Sequence, residues 1–289
     1  MTLSTLLAAP DATTASGTAA CAEPVRFFLG THQPHWLRMG VPLFVSDRRL
    51  RRYRRLPRAA APWALDSGGF TELSQYGSWD TGPTPAQYAA RVRRYRAEVG
   101  RLEWAAPQDW MCEPFILAKT GLTVTRHQDL TIDSVQRLRD LDAELPVIEV
   151  VQGRTPADYL RCADRYLKRG IDLSRSPLVG VGSVCRRQST TQVGDILTAL
   201  HQAGITRLHA FGFKTLGLAR WGHLLTSADS MAWSAQARRQ PALPDCHTHR
   251  TCANCSRYAL RWRDRVLTTI AAATRQPALF DINPAWWPA

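Results

Sequence analysis

Lysine is nearly absent from this chain. Three lysines (Lys119, Lys168 and Lys214) stand among 37 basic residues, against 24 acidic ones, so arginine carries the net charge of +13. Such an excess points to a polyanionic partner, most simply nucleic acid. Long apolar runs are also lacking. No stretch approaches 18 uninterrupted apolar residues, so no membrane span is expected. No Gly-x-Gly-x-x-Gly follows the first apolar run, which removes support for dinucleotide binding. The first 22 residues are rich in Ala and Thr but have neither a basic n-region nor a long apolar core. They read as a disordered tail and not as a secretory signal. Cysteine is present in an odd number, seven, and three of them fall within residues 246–255. That argues for metal binding in a reducing cytoplasm, not for a disulfide framework.

What is present from residue 25 onward is an alternation of short apolar runs with longer amphipathic ones. Eight strand candidates occur: 25–30, 42–46, 63–67, 104–109, 146–153, 177–184, 207–213 and 227–233. Most are continuously apolar, as parallel strands buried on both faces should be. Helical patterns span 84–100, 131–145, 155–170 and 191–204; Thr84-Pro85 and Thr155-Pro156 are cap-plus-proline starts, and Gly100, Gly170 and Gly204 are natural stops. Eight strands with intervening helices predict a (β/α)8 barrel, with a doubly wound open sheet as the alternative. Residues 23–289 then form one domain, with a metal-binding segment at about 240–265.

In a barrel, the residues at the strand C-termini line the active site. Here those are Thr31 and His32, Asp66, Asp109, Gln152, Gly180 to Ser183, Gly212, and Asp229. Three acids and an amide thus converge on one mouth, and buried carboxylates are costly unless partnered or used. Asp66 sits in "WALDSGGF" (63–70), where Gly68 and Gly69 leave room for a substrate to approach the backbone, and Ser67 and Gly68 are candidate substrate contacts. Cys112 and Cys185 read as small packing residues. After the last strand, "CHTHRTCANC" (246–255) offers Cys246, Cys252 and Cys255 with two histidines between them. Three thiolates and an imidazole make a closed, structural zinc site. The fourth ligand is His249 or His247; His249 is preferred, because using both Cys246 and its neighbour His247 would strain the loop. "DRRLRRYRRLPR" (47–58) packs seven arginines around Tyr53, and Arg51, Arg52, Arg54 and Arg55 are candidate phosphate contacts.

"DSGGF" (66–70), "VVQG" (150–153), "VGVGSV" (179–184), "FGF" (211–213), "SADS" (227–230) and the trailing cysteine cluster occur in this order. Over about residues 25–265 the chain resembles the tRNA-guanine transglycosylases, and within them the short queuine-tRNA-ribosyltransferase-like proteins, including the DpdA type that inserts 7-deazaguanines into DNA. The resemblance implies a (β/α)8 barrel with a zinc subdomain after the last strand, and base exchange through an aspartyl intermediate. It implies Asp229 as nucleophile, Asp66 as general acid/base, Asp109 as reader of the guanine N1/N2 edge, and Gln152 with the backbone of Val181 and Gly182 as donors to O6. His32 is a further candidate substrate contact. The implied partners are DNA or tRNA and a free 7-deazaguanine base, with a homodimer or partner subunits left open. The zinc spacing departs from the family's usual Cys-x-Cys-x2-Cys with a distant His. The chain is also shorter than typical tRNA enzymes, which favours DNA slightly.

The chemistry asked of these residues is physically sensible. An N-glycosidic bond breaks through an oxocarbenium-like state that a carboxylate can stabilise and capture. The departing purine needs a proton, which a second carboxyl can supply. A nucleic-acid N-glycosidase would need the same carboxylates without affinity for a replacement base. A non-catalytic nucleic-acid-binding barrel subunit would need neither Asp66 nor Asp229.

Overall fold

The computed structural model describes residues 25–275. The expected tail (1–22) and the apolar terminal "PAWWP" (284–288) lie outside the described residues. The strands are β1 (Arg26–Thr31), β2 (Leu43–Ser46), β3 (Trp63–Asp66), β4 (Leu102–Ala105), β5 (Glu149–Val151), β6 (Val179–Val181), β7 (Leu208–Ala210) and β8 (Ser227–Ser230). The α-helices are α1 (Asp47–Leu50), α2 (Gly69–Tyr76), α3 (Pro85–Glu98), α4 (Pro114–Thr120), α5 (Val124–Leu141), α6 (Pro156–Lys168), α7 (Thr191–Gln202), α8 (Thr215–Trp221), α9 (Ala232–Ala237) and α10 (Ser256–Arg275).

All eight strands join one parallel sheet in the order β4-β3-β2-β1-β8-β7-β6-β5. Strand number, direction and order along the sheet are those expected of a (β/α)8 chain. At the seam between β4 and β5, however, there is an isolated parallel bridge, Ala105 to Val147, in place of a ladder. The sheet nevertheless curls far enough for its two halves to meet on the concave side. Trp104 of β4 touches His209 of β7, with ring centroids 4.5 Å apart.

Side chains alternate between the two faces of each strand. Phe27, Leu29, Leu43, Val45, Trp63, Leu65, Val179, Val181, Leu208 and Ala210 point to the helices and join the large outer core. Phe28, Ala64, Trp104 and Val150 form a separate inner cluster, with Phe44 and Phe211 packed against it. Two residues further along the strands, the same inner face carries Gly30, Ser46, Asp66, Gln152, Gly182, Phe211 and Asp229. The candidate site is therefore the next inward layer above an aromatic floor.

Several boundaries differ from expectation. β4 starts at Leu102 and ends at Ala105, so Asp109 lies in a loop beyond the strand. The run at 227–233 divides into β8 and the start of α9. Helix α5 starts seven residues before Thr131; Thr123 is its cap, accepting from Arg126 N at 3.2 Å. The expected helices at 84, 155 and 191 are α3, α6 and α7. In α3 and α6 the threonine cap and the residue three positions on bond each other's backbone. Helix α10 is additional to the four helical patterns expected. It buries Tyr258, Ala259, Trp262, Val266 and Ile270, a stripe at helical spacing, and sets Trp262 against Phe27 of β1.

Candidate active site

A cavity of about 380 Å³ opens at the C-terminal ends of the strands. Its wall includes Asp66, Asp109, Asp229, His32, Gly182 and Phe211. All three expected acids thus face one space, Asp66 and Asp229 from the ends of β3 and β8 and Asp109 from the loop after β4.

Asp66 ends β3. Its Oδ1 accepts a hydrogen bond from Gly68 N at 2.9 Å, and Ser46 supplies a second. Burial pushes this carboxyl above the usual carboxylate range, and the charges of Asp229 and Asp47 add to the rise. The two glycines after it have separate causes. Gly68 has φ +89°, a left-handed conformation that turns the chain from strand to helix. Gly69 lies so near Asp109 that a Cβ there would fall 2.9 Å from Asp109 Oδ1.

Asp109 is pushed up to about 7, by burial first and by the charge of Asp66 second. Its loop is held from below by polar side chains of α5. Ser134 Oγ accepts from Gln108 N at 3.0 Å, and Thr131 Oγ1 accepts from Trp110 N at 2.9 Å. His127 Nδ1 lies 2.6 Å from Met111 O. Trp79 Nε1 donates to Asp109 O at 3.2 Å.

Asp229 Oδ1 accepts from Gly212 N at 3.0 Å and lies 3.3 Å from His209 Nε2. His209 is fully buried, and its Nδ1 is 2.9 Å from Ser227 Oγ.

The expected O6 donors are placed differently from expectation. Gln152 is fully buried and off the cavity wall. Its Nε2 donates to Asp109 Oδ2 at 2.7 Å, and its Oε1 accepts from Ser183 Oγ at 2.6 Å. Gly182 is on the wall, but its N–H donates to Val151 O at 3.0 Å, and Val181 points into the outer core. A Cβ on Gly182 would fall 2.3 Å from Gln152 Nε2, so glycine is required there to admit the amide. Gln152 thus sits behind Asp109 as its support. Ser67 is buried and, like Gly68, is not on the cavity wall. His32 is on the wall, and its Nδ1 has no hydrogen-bond partner among the described residues. Burial lowers its pKa, and the charges of Arg49 and Arg238 lower it further.

Sequence reasoning missed several wall and support residues. Ser183 is expected at the mouth but not as a support: at φ +58°, it bridges Gln152, Cys112 N and Glu113. Glu113 is buried, which raises its pKa, and it lines the cavity with Phe70 and the half-buried Cys185. Cys112 is fully buried, as expected of a packing residue. His209 carries the clearest signal of these in the sequence: in "HAF" beside "SAD", alternate residues of adjacent strands must point the same way.

The basic segment follows β2 and so lies at the same end of the sheet. Arg52, Arg54 and Arg55 are exposed and form no ion pair among the described residues. Arg51 is different, standing 3.8 Å from the buried carboxylate of Glu72, which Arg48 also pairs. Arg94 Nη2 fixes the loop by donating to Tyr53 O at 3.0 Å and Arg54 O at 2.8 Å.

Between α9 and α10, one ligand atom from each of Cys246, His249, Cys252 and Cys255 lies within 4.8 Å of the others. Within the cluster, His249 Nε2 is 3.3 Å from Cys252 Sγ and Cys246 Sγ is 3.7 Å from Cys255 Sγ. Tetrahedral zinc with Zn–S near 2.3 Å sets ligand–ligand edges of roughly 3.5–3.8 Å. The four residues fit a metal ion of this kind, and His249 completes the set where His247 does not.

Residues 24–286 match the family described as DpdA, DeoxyPurine in DNA protein A. The chain belongs to the DpdA family. This is a tRNA-guanine transglycosylase-like family that inserts 7-deazaguanine in DNA, in agreement with the resemblance carried by "DSGGF" and the motifs after it. No curated protein matches the chain. Among the described residues, no helix is long and apolar enough to cross a membrane.

Proposed function

We propose that this protein is a base-exchange transglycosylase that replaces guanine in DNA with a 7-deazaguanine. The observation that carries this reading is the convergence of Asp66, Asp109 and Asp229 on one cavity. A nucleotide turned out of its stack enters the strand C-terminal mouth. Phe70 and Phe211, both on the wall, offer ring faces to the purine. The carboxylate of Asp109 accepts from N1–H and N2–H, supported by the Gln152 amide.

Asp229 attacks C1′. The new C–O bond forms as the C1′–N9 bond breaks, and the bonding pair leaves with the purine. Asp66, whose carboxyl pKa is raised above its ordinary value by burial, delivers a proton to the departing base. In the second half Asp66 takes a proton from the incoming 7-deazaguanine, whose nitrogen displaces Asp229 from C1′. Arg52, Arg54 and Arg55 contact phosphates beside the mouth, where Arg51 is already engaged by Glu72. In this reading the sheet acts as a barrel whose β4–β5 seam is completed by side chains, and zinc in the Cys3His loop is structural, since four protein ligands leave no open position.

The test is exchange of labelled guanine into DNA and into tRNA, with denaturing gels to detect the protein–nucleic acid adduct. The parent protein should exchange guanine in DNA, and Asp229→Asn should show neither adduct nor exchange. Equal exchange by Asp229→Asn would overturn the nucleophile assignment. Release of guanine without uptake of a 7-deazaguanine would instead identify a glycosidase.

A further inference from the structure

Asp229 is held on one side only. Both of its hydrogen bonds, from Gly212 N and from His209 Nε2, end on the same oxygen, Oδ1. Among the described residues, Oδ2 accepts none. The histidine is itself fixed from several directions. Its ring is fully buried, with the Trp104 and Phe211 ring centroids at 4.5 and 4.8 Å and those of Phe44 and Phe28 at 6.0 and 6.1 Å. The Ser227 hydroxyl lies 2.9 Å from Nδ1. If Ser227 donates to Nδ1, the neutral ring carries its proton on Nε2 and aims it at Asp229. Ser227 and Asp229 alternate on β8, and His209 pairs with Ser227 across β7–β8, so the three-residue chain follows from strand register.

We propose that His209 is a positioning residue for Asp229: with Gly212 N–H it anchors Oδ1, turning Oδ2 into the cavity as the oxygen that bonds to C1′. This rests on the transglycosylase reading of the site. A carboxylate free to rotate about its last bond would present either oxygen at varying angles. Pinning one oxygen with two donors selects a single line of attack. Orientation of this kind is costly to lose, since a misplacement of about 1 Å lowers a rate by as much as 100-fold. Ser227 and His209 touch no substrate and act wholly through the aspartate.

The experiment compares His209→Leu, His209→Gln and the parent protein in formation of the DNA adduct, with DNA affinity and melting temperature measured in parallel. Gln keeps an amide N–H that can reach Oδ1, whereas Leu keeps the bulk alone. Adduct formation by His209→Leu should slow by about 10- to 100-fold with DNA affinity unchanged. His209→Gln should recover much of that rate. Ser227→Ala, which leaves the ring in place but frees its tautomer, should slow the step less than His209→Leu. If His209→Leu forms adduct at the parent rate, or if His209→Gln is as slow as His209→Leu at equal melting temperature, the assignment is overturned. If the parent protein forms no adduct, the transglycosylase reading itself has failed, a result distinct from either of these.

Discussion

A carboxyl pushed up to about 7, as Asp109 is, carries a proton on a substantial share of molecules at neutral pH. Its folded pKa lies above its unfolded value, so between about 4 and 7 the folded state binds more protons than the unfolded one. Stability attributable to this group is therefore present at low pH and falls as pH rises toward 7. Asp109→Asn removes the charge and keeps an oxygen for the Gln152 N–H. The variant should melt higher than the parent at pH 8, by roughly 1–4 kcal/mol of stability, and no higher at pH 5. A variant equally or less stable at pH 8 would show that the burial of Asp109 costs the fold nothing. Recognition runs the other way. Only the ionised carboxylate accepts from both N1–H and N2–H, so guanine affinity of the parent should weaken as pH falls below about 7. Equilibrium binding of guanine across pH 5–8 reads this directly.

The basic segment after β2 and the cysteine loop after α9 each make a prediction at the scale of an element. Arg52, Arg54 and Arg55 are exposed and have no ion-pair partner among the described residues, whereas Arg51 lies near Glu72. Neutralising the first three should reduce the slope of log affinity against log salt by about 0.9 for each phosphate left unneutralised on duplex DNA. Arg51→Ala should change that slope less and stability more. Identical slopes for the triple variant and the parent would mean that these arginines merely face solvent. In the cysteine loop, Cys252 is fully buried and joins the same apolar core as Tyr258, Ala259 and Trp262 of α10. Metal binding there is coupled to folding. Purified protein should contain close to one zinc per chain, and Cys252→Ser should lower the melting temperature before it alters chemistry. Metal-free protein with an unchanged melt would remove the structural role.

These elements also show what the sequence made legible. The strands were readable because most bury both faces and so carry unbroken apolar runs. The first half of α5 was not, because the residues it buries there, His127, Gln128 and Thr131, are polar and leave no apolar stripe. They are polar because they hold backbone of the Asp109 loop and of the turn after β5. Helix α10 carries a clear stripe but follows directly on a loop whose chelating residues dominate that part of the sequence. The three aspartates could be placed from strand ends. The inward turn of the Gln152 amide could not, since it depends on how closely Gly182 lets two strands approach.

At the scale of the whole molecule, the sheet is continuous from β4 through β1 and β8 to β5, and its ends meet at the Ala105–Val147 bridge. Side chains from the two ends also join there, because the Gln152 amide, just beyond β5, bonds Asp109, just beyond β4. In the proposed reading, recognition of the base by Asp109 shares this junction between the two ends of the sheet. Opening free energy is lowest where few backbone bonds resist it. Under native-state hydrogen exchange, Ala105 and Ile148 amides should lose protection sooner than those of Leu29 or Ala228 at the centre. A bound guanine, by engaging Asp109, should slow exchange selectively at this margin, so that ligand occupancy registers as a change in the local unfolding of β4 and β5 while the centre of the sheet keeps its rate.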